Sequence, residues 1–413
     1  MTRLRTILAT TVALATLFGS GVLAQDTQPR RNRARTALPV VKPDRTEISA
    51  EDLAAAVDVG AKALLAMQED MGGDTVAEWP YEGVYRVGGQ IPVGYRIGGT
   101  GICGMALLQT PGFAEDETRQ DALRRATDFI IRGIEHPLMS EKDYQGQYDV
   151  RGWGYIYGLQ YLLRLKDAGS VPDDLAAGVE TAIAFYLDAL QKIEIPEAGG
   201  WNYARGPRAD PARPSPFMTG PALQVLFDAQ RHGYTVDAAV VERALGALQR
   251  AKIGTGAYVY AGDRGNDGVP GAVGRMLVAE STLLLAGRGS QADVRAAIDA
   301  FIVHWDWLEV RRARNGTHIP PYSVAPYYFY FAHYYAAQAI ELLPEREREE
   351  YRVRFREILF RTRDADEGTW NDRVFPRSAN YGTAMSLLAI LMPDTRRPAT
   401  WQPNAGEAAV EGN

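Results

Sequence analysis

Tyr186-Leu187-Asp188-Ala189-Leu190-Gln191, followed by Gly199-Gly200-Trp201-Asn202, is the stretch that decides the fold. Leu187 and Gln191 stand four residues apart, so they share one helical face and put a glutamine at a fixed place beside a core leucine. A glutamine at a helix C-terminus can bond open carbonyls or reach the start of the next unit. The glycines supply the positive φ that stops the helix, and the aromatic ring packs back on the turn. Working outward, the same offset joins Leu64 to Gln68 and Leu245 to Gln249; Leu359 is followed by Arg363, while Ile134 and Asp306 fill the slot in two degenerate units. The loop recurs as Gly256-Ala257-Tyr258, Gly316-Thr317-His318 and Gly368-Thr369-Trp370, and Arg151-Gly152-Trp153-Gly154-Tyr155 takes its place in the second unit.

Each unit thus has an amphipathic first helix, a Gly/aromatic loop and a more apolar second helix. First helices are predicted to begin near residues 58, 121, 178, 241, 295 and 351. Second helices are predicted at Thr100–Leu108, Trp153–Lys166, Met218–Arg231, Val273–Ala286, Pro326–Leu342 and Ala379–Leu391. Strand signals are nearly absent, Ala257-Tyr258-Val259-Tyr260 being the one short stretch. A single hairpin cannot bury both its faces, whereas a ring of about six can. The expected class is all-α, an α/α toroid (α6/α6 barrel) of about six helix-hairpin repeats with the second helices inside.

These repeats resemble those of the terpenoid cyclase / protein prenyltransferase superfamily, in which an aromatic-aliphatic pair precedes a glutamine and Gly-x-Trp follows. Tyr186-Leu187, Gln191 and Gly199-Gly200-Trp201 carry the resemblance, and Phe360, Arg363 and Gly368-Thr369-Trp370 carry it more loosely, over residues 50–392. It implies two concentric layers of helices around a cavity open at one end. The family's chemistries do not transfer. No Asp-x-Asp-Asp string is present, and Asp173-Asp174 after Pro172 reads as an N-cap pair. Cys103 has no acidic residue two positions before it to complete a prenyltransferase-type zinc set, and Met105-Ala106 after Cys103-Gly104 replaces the residues of an internal thioester.

The ends and the composition bound the rest. Arg3 and Arg5, an uncharged apolar run from Ile7 to Leu23 and Val22-Leu23-Ala24 read as a signal peptide over residues 1–24, which predicts a periplasmic or secreted protein without a stable membrane anchor. Residues 25–48 carry Arg30, Arg31, Arg33, Arg35, Lys42 and Arg45 among few apolar side chains and read as a flexible basic leader. The toroid domain is expected over 49–393 and a disordered tail over 394–413. The net charge of -6 becomes -8 without Arg3 and Arg5, which speaks against nucleic acid as a partner of the folded part. A hydrophobic fraction of 46 % is enough for a large core, and the single cysteine forms no intramolecular disulfide. No cofactor or metal is expected; the five histidines have no paired ligand spacing.

Because every Gly/aromatic loop joins a first helix to a second, all of them fall at one end of the ring. Trp153, Tyr155, Trp201, Tyr203, Tyr258, Tyr260, Tyr322 and Trp370 should gather there with Asp149, Arg151, Asn202, Arg205, Asp263, Arg264, Asn371, Asp372 and Arg373. Aromatic faces beside carboxylates and guanidinium groups suit a sugar ring, and they also suit an isoprenoid. Alternatively, Trp201 and Trp370 plug the turns of their own repeats. The loop Asp263-Arg264-Gly265-Asn266-Asp267-Gly268 reads as a turn, lacking the distal Glu of a calcium loop. His318, before Ile319-Pro320-Pro321-Tyr322, is the histidine best placed to act. The run Tyr327-Tyr328-Phe329-Tyr330-Phe331 lines a ligand tunnel or packs the core. No catalytic residue is fixed; Asp263, Asp372 and Glu280 are the candidates. Glu280 sits in an apolar helix, either facing the cavity as an acid or paired with a basic group such as Arg275. The leading expectation is a toroid that binds a small molecule, glycan, lipid or protein partner without cyclase or zinc chemistry. A carbohydrate-active hydrolase or lyase on an α6/α6 barrel comes second, and an isoprenoid-processing enzyme third.

Overall fold

The computed structural model describes residues 47–73, 75–83, 86–142, 148–203, 212–314, 318 and 320–403. The predicted signal peptide and nearly all of the leader lie outside these residues, as does Arg205. Twelve α-helices are described: α1 (Ala50–Ala66), α2 (Val93–Gln109), α3 (Glu117–Arg132), α4 (Arg151–Asp167), α5 (Ala176–Lys192), α6 (Pro216–Arg231), α7 (Ala238–Arg250), α8 (Val269–Leu285), α9 (Gln291–Glu309), α10 (Tyr328–Leu342), α11 (Glu345–Phe360) and α12 (Ala379–Ile390). The even-numbered helices are buried along almost their whole lengths and touch in sequence, and α12 packs on α2 to close the ring. The odd-numbered helices form the outer layer, each packed on an inner neighbour, with α1 against α12. This is the predicted α/α toroid.

First helices start earlier than expected because their caps lie upstream of the apolar pattern. Ser49 and Asp52 form a capping box for α1, with Ser49 Oγ accepting from Asp52 N (3.0 Å) and Asp52 Oδ2 from Ser49 N (3.1 Å). Asp116, Asp237 and Ser290 cap α3, α7 and α9, their side-chain oxygens accepting from Arg119 N, Ala239 N and Asp293 N. The repeated glutamines do connect units: Gln68 Nε2 donates to the Ala122 carbonyl (2.8 Å), and Gln191 Oε1 accepts from Asp237 N (2.8 Å).

Three units share a turn lock. The indole N–H of Trp79, Trp201 and Trp370 donates to the carbonyls of Leu64 (2.6 Å), Leu190 (2.8 Å) and Leu359 (3.2 Å) at the end of the outer helix. The backbone N–H of each tryptophan donates to a threonine hydroxyl in the following inner helix: Thr100 (2.9 Å), Thr219 (3.0 Å) and Thr383 (3.1 Å). All three indoles are 0 % exposed. Close approach demands a glycine before two of these threonines, since a Cβ at Gly99 would lie 2.6 Å from the Trp79 carbonyl oxygen and one at Gly382 would run into that of Trp370.

The barrel is filled at mid-height. Gln224 and Gln338 donate to each other's amide oxygens at 2.9 Å, and Gln224 Nε2 also donates to Thr282. The expectation of a disordered tail from residue 394 is corrected over 394–403, which form a strap across the end opposite the long loops. The Trp401 ring stacks on Phe227 (5.6 Å), its backbone N–H donates to the Leu285 carbonyl, and Ala399 N donates to the buried Asp228 carboxylate. The apolar Trp401 and Ala399 give the segment enough buried surface to order it. One small departure is a two-stranded ribbon, Glu69–Asp70 with Ala77–Glu78, in the first loop.

Candidate active site

The long loops meet over the N-termini of the six inner helices, and there the centre of the ring is filled by a buried basin-shaped layer of packed aromatic rings, each 2 % exposed or less. Tyr381, on the first turn of α12, stacks on Tyr81 from the first loop (4.1 Å, 26°). Tyr81 meets Tyr95 of α2 edge-on (5.8 Å) and lies 6.3 Å from Trp153 of α4. Trp153 continues the surface by stacking on Phe217 of α6 (5.6 Å, 14°). Ring closure alone brings Tyr81 and Tyr381 together, with Asn380 Nδ2 donating to the Pro80 carbonyl to pin the two ends (2.9 Å).

Asp372 lies against this basin. Tyr81 Oη donates to its Oδ2 (3.1 Å), and Oδ1 has no partner among the described residues. Burial pushes its carboxyl up to about 7, against the hydrogen bond from Tyr81 and the charges of Arg373 and Arg312, which hold it down. Tyr381 Oη and Trp153 Nε1 are also buried without partners among the described residues, the indole edge of Trp153 lying against Gly98 of α2. Burial also drives the Tyr81 and Tyr381 phenols well above their ordinary range, so both stay neutral donors. Asp372 and Tyr381 are fully buried, whereas Tyr148, Tyr203, Tyr260 and His318 are only partly so.

The predicted rim residues divide. Trp153, Tyr203, Tyr260, His318 and Asp372 belong to the basin or to its aromatic continuation. Trp201 and Trp370 are the turn locks described above. Tyr155 points outward, donating to the Met139 carbonyl and packing on Phe185 and Tyr186. Tyr258 donates to Glu280 (3.0 Å), which Lys252 pairs at 2.7 Å. Glu280 therefore faces the outer layer rather than the cavity, and its cation is Lys252, Arg275 being engaged with Asp267. Asp149 and Arg151 form a buried pair that holds the third-to-fourth helix loop through the Ser140 and Lys142 carbonyls. Asn202 and Asn371 bond the backbone of their own loops at Arg213 and Phe375, Arg373 covers the Phe375 ring, and Tyr322 packs edge-on to Trp307. Asp263 and Arg264 are exposed in a separate rim pocket of about 970 Å³, shared with Arg213 and Arg250. His333 is a satisfied core group, donating to the Phe329 carbonyl and accepting from the Trp305 indole. Among the described residues no three His, Cys, Asp or Glu side chains group as metal ligands, and no helix is long and apolar enough to cross a membrane.

Sequence reasoning missed Tyr81, Tyr95, Phe217 and Tyr381. The available signal was Trp79-Pro80-Tyr81, the first unit's copy of the tryptophan loop, which lacks the glycine that marks the others.

No family model matches the chain, and no curated protein matches it by sequence. Solved structures do match. An unsaturated glucuronyl hydrolase from Streptococcus agalactiae superposes with a TM-score of 0.54 at 11 % identity, over 86 % of this chain and 95 % of that one. An inactive variant of an α-1,6-mannanase from Salegentibacter, solved with α-1,6-mannotriose, gives 0.53 at 11 % identity, over 83 % and 99 %. The unsaturated glucuronyl hydrolase of Bacillus sp. GL1 gives 0.50 at 13 %, over 82 % and 95 %. The likeness is one of fold. It corrects the resemblance to the terpenoid cyclase / prenyltransferase superfamily, because the neighbours are α/α-toroid enzymes of carbohydrates. The Leu/Gln and Gly/Trp spacings that carried that resemblance are turn locks and inter-unit ties, which any ring of helix hairpins can use.

Proposed function

We propose that this chain is a carbohydrate-active enzyme, a hydrolase or lyase, that seats a glycan on the aromatic basin and protonates the departing sugar oxygen from Asp372. The observation that carries the reading is Asp372, a fully buried carboxyl whose Oδ2 accepts from one member of a stacked tyrosine pair and whose Oδ1 has no partner among the described residues. A buried polar atom in this state is uncommon in folded proteins, and a ligand that brings hydroxyls to an aromatic face satisfies it. A carboxyl that titrates near neutrality holds a proton to give at working pH, as a general acid must. Asp372 is fully buried, so the reading requires the side chains over it to move before a substrate reaches it. The fold neighbours that act on glucuronyl and mannosyl substrates support the substrate class.

The test is to incubate purified protein with unsaturated glucuronyl disaccharides and with α-1,6-mannooligosaccharides, following new reducing ends and the unsaturated chromophore. Turnover of one class, falling as pH rises through about 7, is expected. Glycan retention without turnover would reduce the protein to a binder. The same protein is proposed to be exported. Intact-mass analysis of the natural product should find its N-terminus at or near Gln25, and an uncleaved Met1 in cytosolic protein would reject export.

A further inference from the structure

Beyond Trp153 the basin carries a second set of proton-bearing groups. Ring contacts run from Phe217 to Tyr327 (5.4 Å) and from Tyr327 to His318 (6.0 Å), with Tyr260 edge-on to His318 (4.7 Å). His318 Nδ1 lies 3.1 Å from the Ser323 carbonyl, which can only accept, so Nδ1 carries the proton and Nε2 is the acceptor. Tyr327 Oη, 3.1 Å from Nε2, therefore donates to it. The loop holds this geometry with non-glycine residues in the left-handed region, His318 at φ 49° and Ser323 at φ 52°. Strain of this kind persists only where the surrounding structure over-determines it. The groups that face the pair are Tyr203, Tyr260 and Tyr328, with Arg275 set over the Tyr260 and Tyr328 rings and ion-paired to Asp267.

We propose that Tyr327 and His318 are the base of the site, Tyr327 touching the reacting water and His318 taking the proton that Tyr327 passes on. The inference rests on the glycan-active reading and commits it to hydrolysis. In the step, a water bonded to Tyr327 Oη gives that oxygen a proton as the Tyr327 proton moves to His318 Nε2. The remaining hydroxide forms a bond to the anomeric carbon. The glycosidic C–O bond breaks, and the departing oxygen takes the Asp372 proton. Atoms and charge balance, leaving His318 protonated and Asp372 ionised, and both reset by exchange with solvent. Burial holds His318 below its ordinary imidazole value, so the base is free at neutral pH and is lost only on the acid side.

The experiment is the pH profile of kcat/KM for wild type, Tyr327→Phe and His318→Gln on whichever glycan the wild type turns over, with thermal melting as a control for folding. The wild type should give a bell, its acid limb set by His318 and its alkaline limb by Asp372. Both variants should lose about 100-fold or more in rate and the acid limb with it, while melting with the wild type. Nitrogen NMR of the imidazole reads the pair without turnover: a protonated Nδ1 is expected, with an Nε2 signal that moves in Tyr327→Phe. Turnover by His318→Gln with the acid limb intact would overturn the relay and leave the glycan reading standing, as would an Nε2-protonated ring. A wild type that turns over no glycan would overturn both.

Discussion

Asp372→Asn should abolish turnover and, in the same protein, raise stability above neutral pH. The folded-state value of this carboxyl stands at about 7 against an ordinary 3.8, because burial favours its neutral form. The sign follows from proton linkage. The folded protein binds a proton here that the unfolded chain has already released, so the group's stabilising effect is complete below its unfolded value. It is lost as pH rises through about 7. At 1.36 kcal/mol per pKa unit the loss approaches ~4 kcal/mol on the alkaline side. Asparagine resembles the protonated acid in shape and never ionises, so the variant should match wild type only below the unfolded value of 3.8, gain on it as pH rises toward about 7, and exceed it by the full amount at about pH 8. Activity should move the other way, by about 10²–10⁴-fold, as an amide has no proton to give. Urea titrations at the acid and alkaline ends of this range, paired with glycan turnover, measure both arms. Equal stability gains in acid and base would contradict a titrating buried acid.

Trp201→Ala and Trp370→Ala should each cost ~3–5 kcal/mol of folding stability. Each indole is completely buried, and its loss leaves a cavity and an outer-helix carbonyl without its donor. The lock's other half is separable. Thr219→Val and Thr383→Val keep the volume and remove only the hydroxyl that accepts the tryptophan N–H, which should cost about 1–3 kcal/mol. Chemical denaturation ranks the four variants. Tryptophan variants as stable as wild type would mean that the rings serve something other than the turn.

The repeats were legible because packing imposes them locally. A leucine, a glutamine four residues on and an aromatic turn lie within one hairpin, and Gln191 reaches Asp237 as its position suggested. Boundaries shifted where a cap such as Ser49 lay upstream of the apolar pattern. The basin was only half legible. Trp153 stands out at the start of α4, and Asp372 and His318 in their loops, but Tyr81 and Tyr381 meet only when the last helix reaches the first, and no local pattern records that. Glu280 was ambiguous for a related reason, since an apolar inner helix has two buried sides and sequence does not say which one meets Lys252. The mistaken lineage came from the same source as the correct fold: the spacings encode how hairpins stack, and unrelated rings solve that problem alike.

Ring closure also has a consequence for synthesis. The hydrogen bond from Tyr81 to Asp372 and the ion pair of Glu69 with Arg377 join residues about three hundred positions apart, and α1 rests on α12. On the ribosome, each hairpin can stack on its predecessor as it emerges, but the first inner helix waits with one flank unpaired until the last has been made. Contacts so distant in sequence are slow to form, and the waiting flank is apolar. A nascent chain halted just short of Tyr381 therefore has most of its helices but neither the closed ring nor the stacked tyrosine pair.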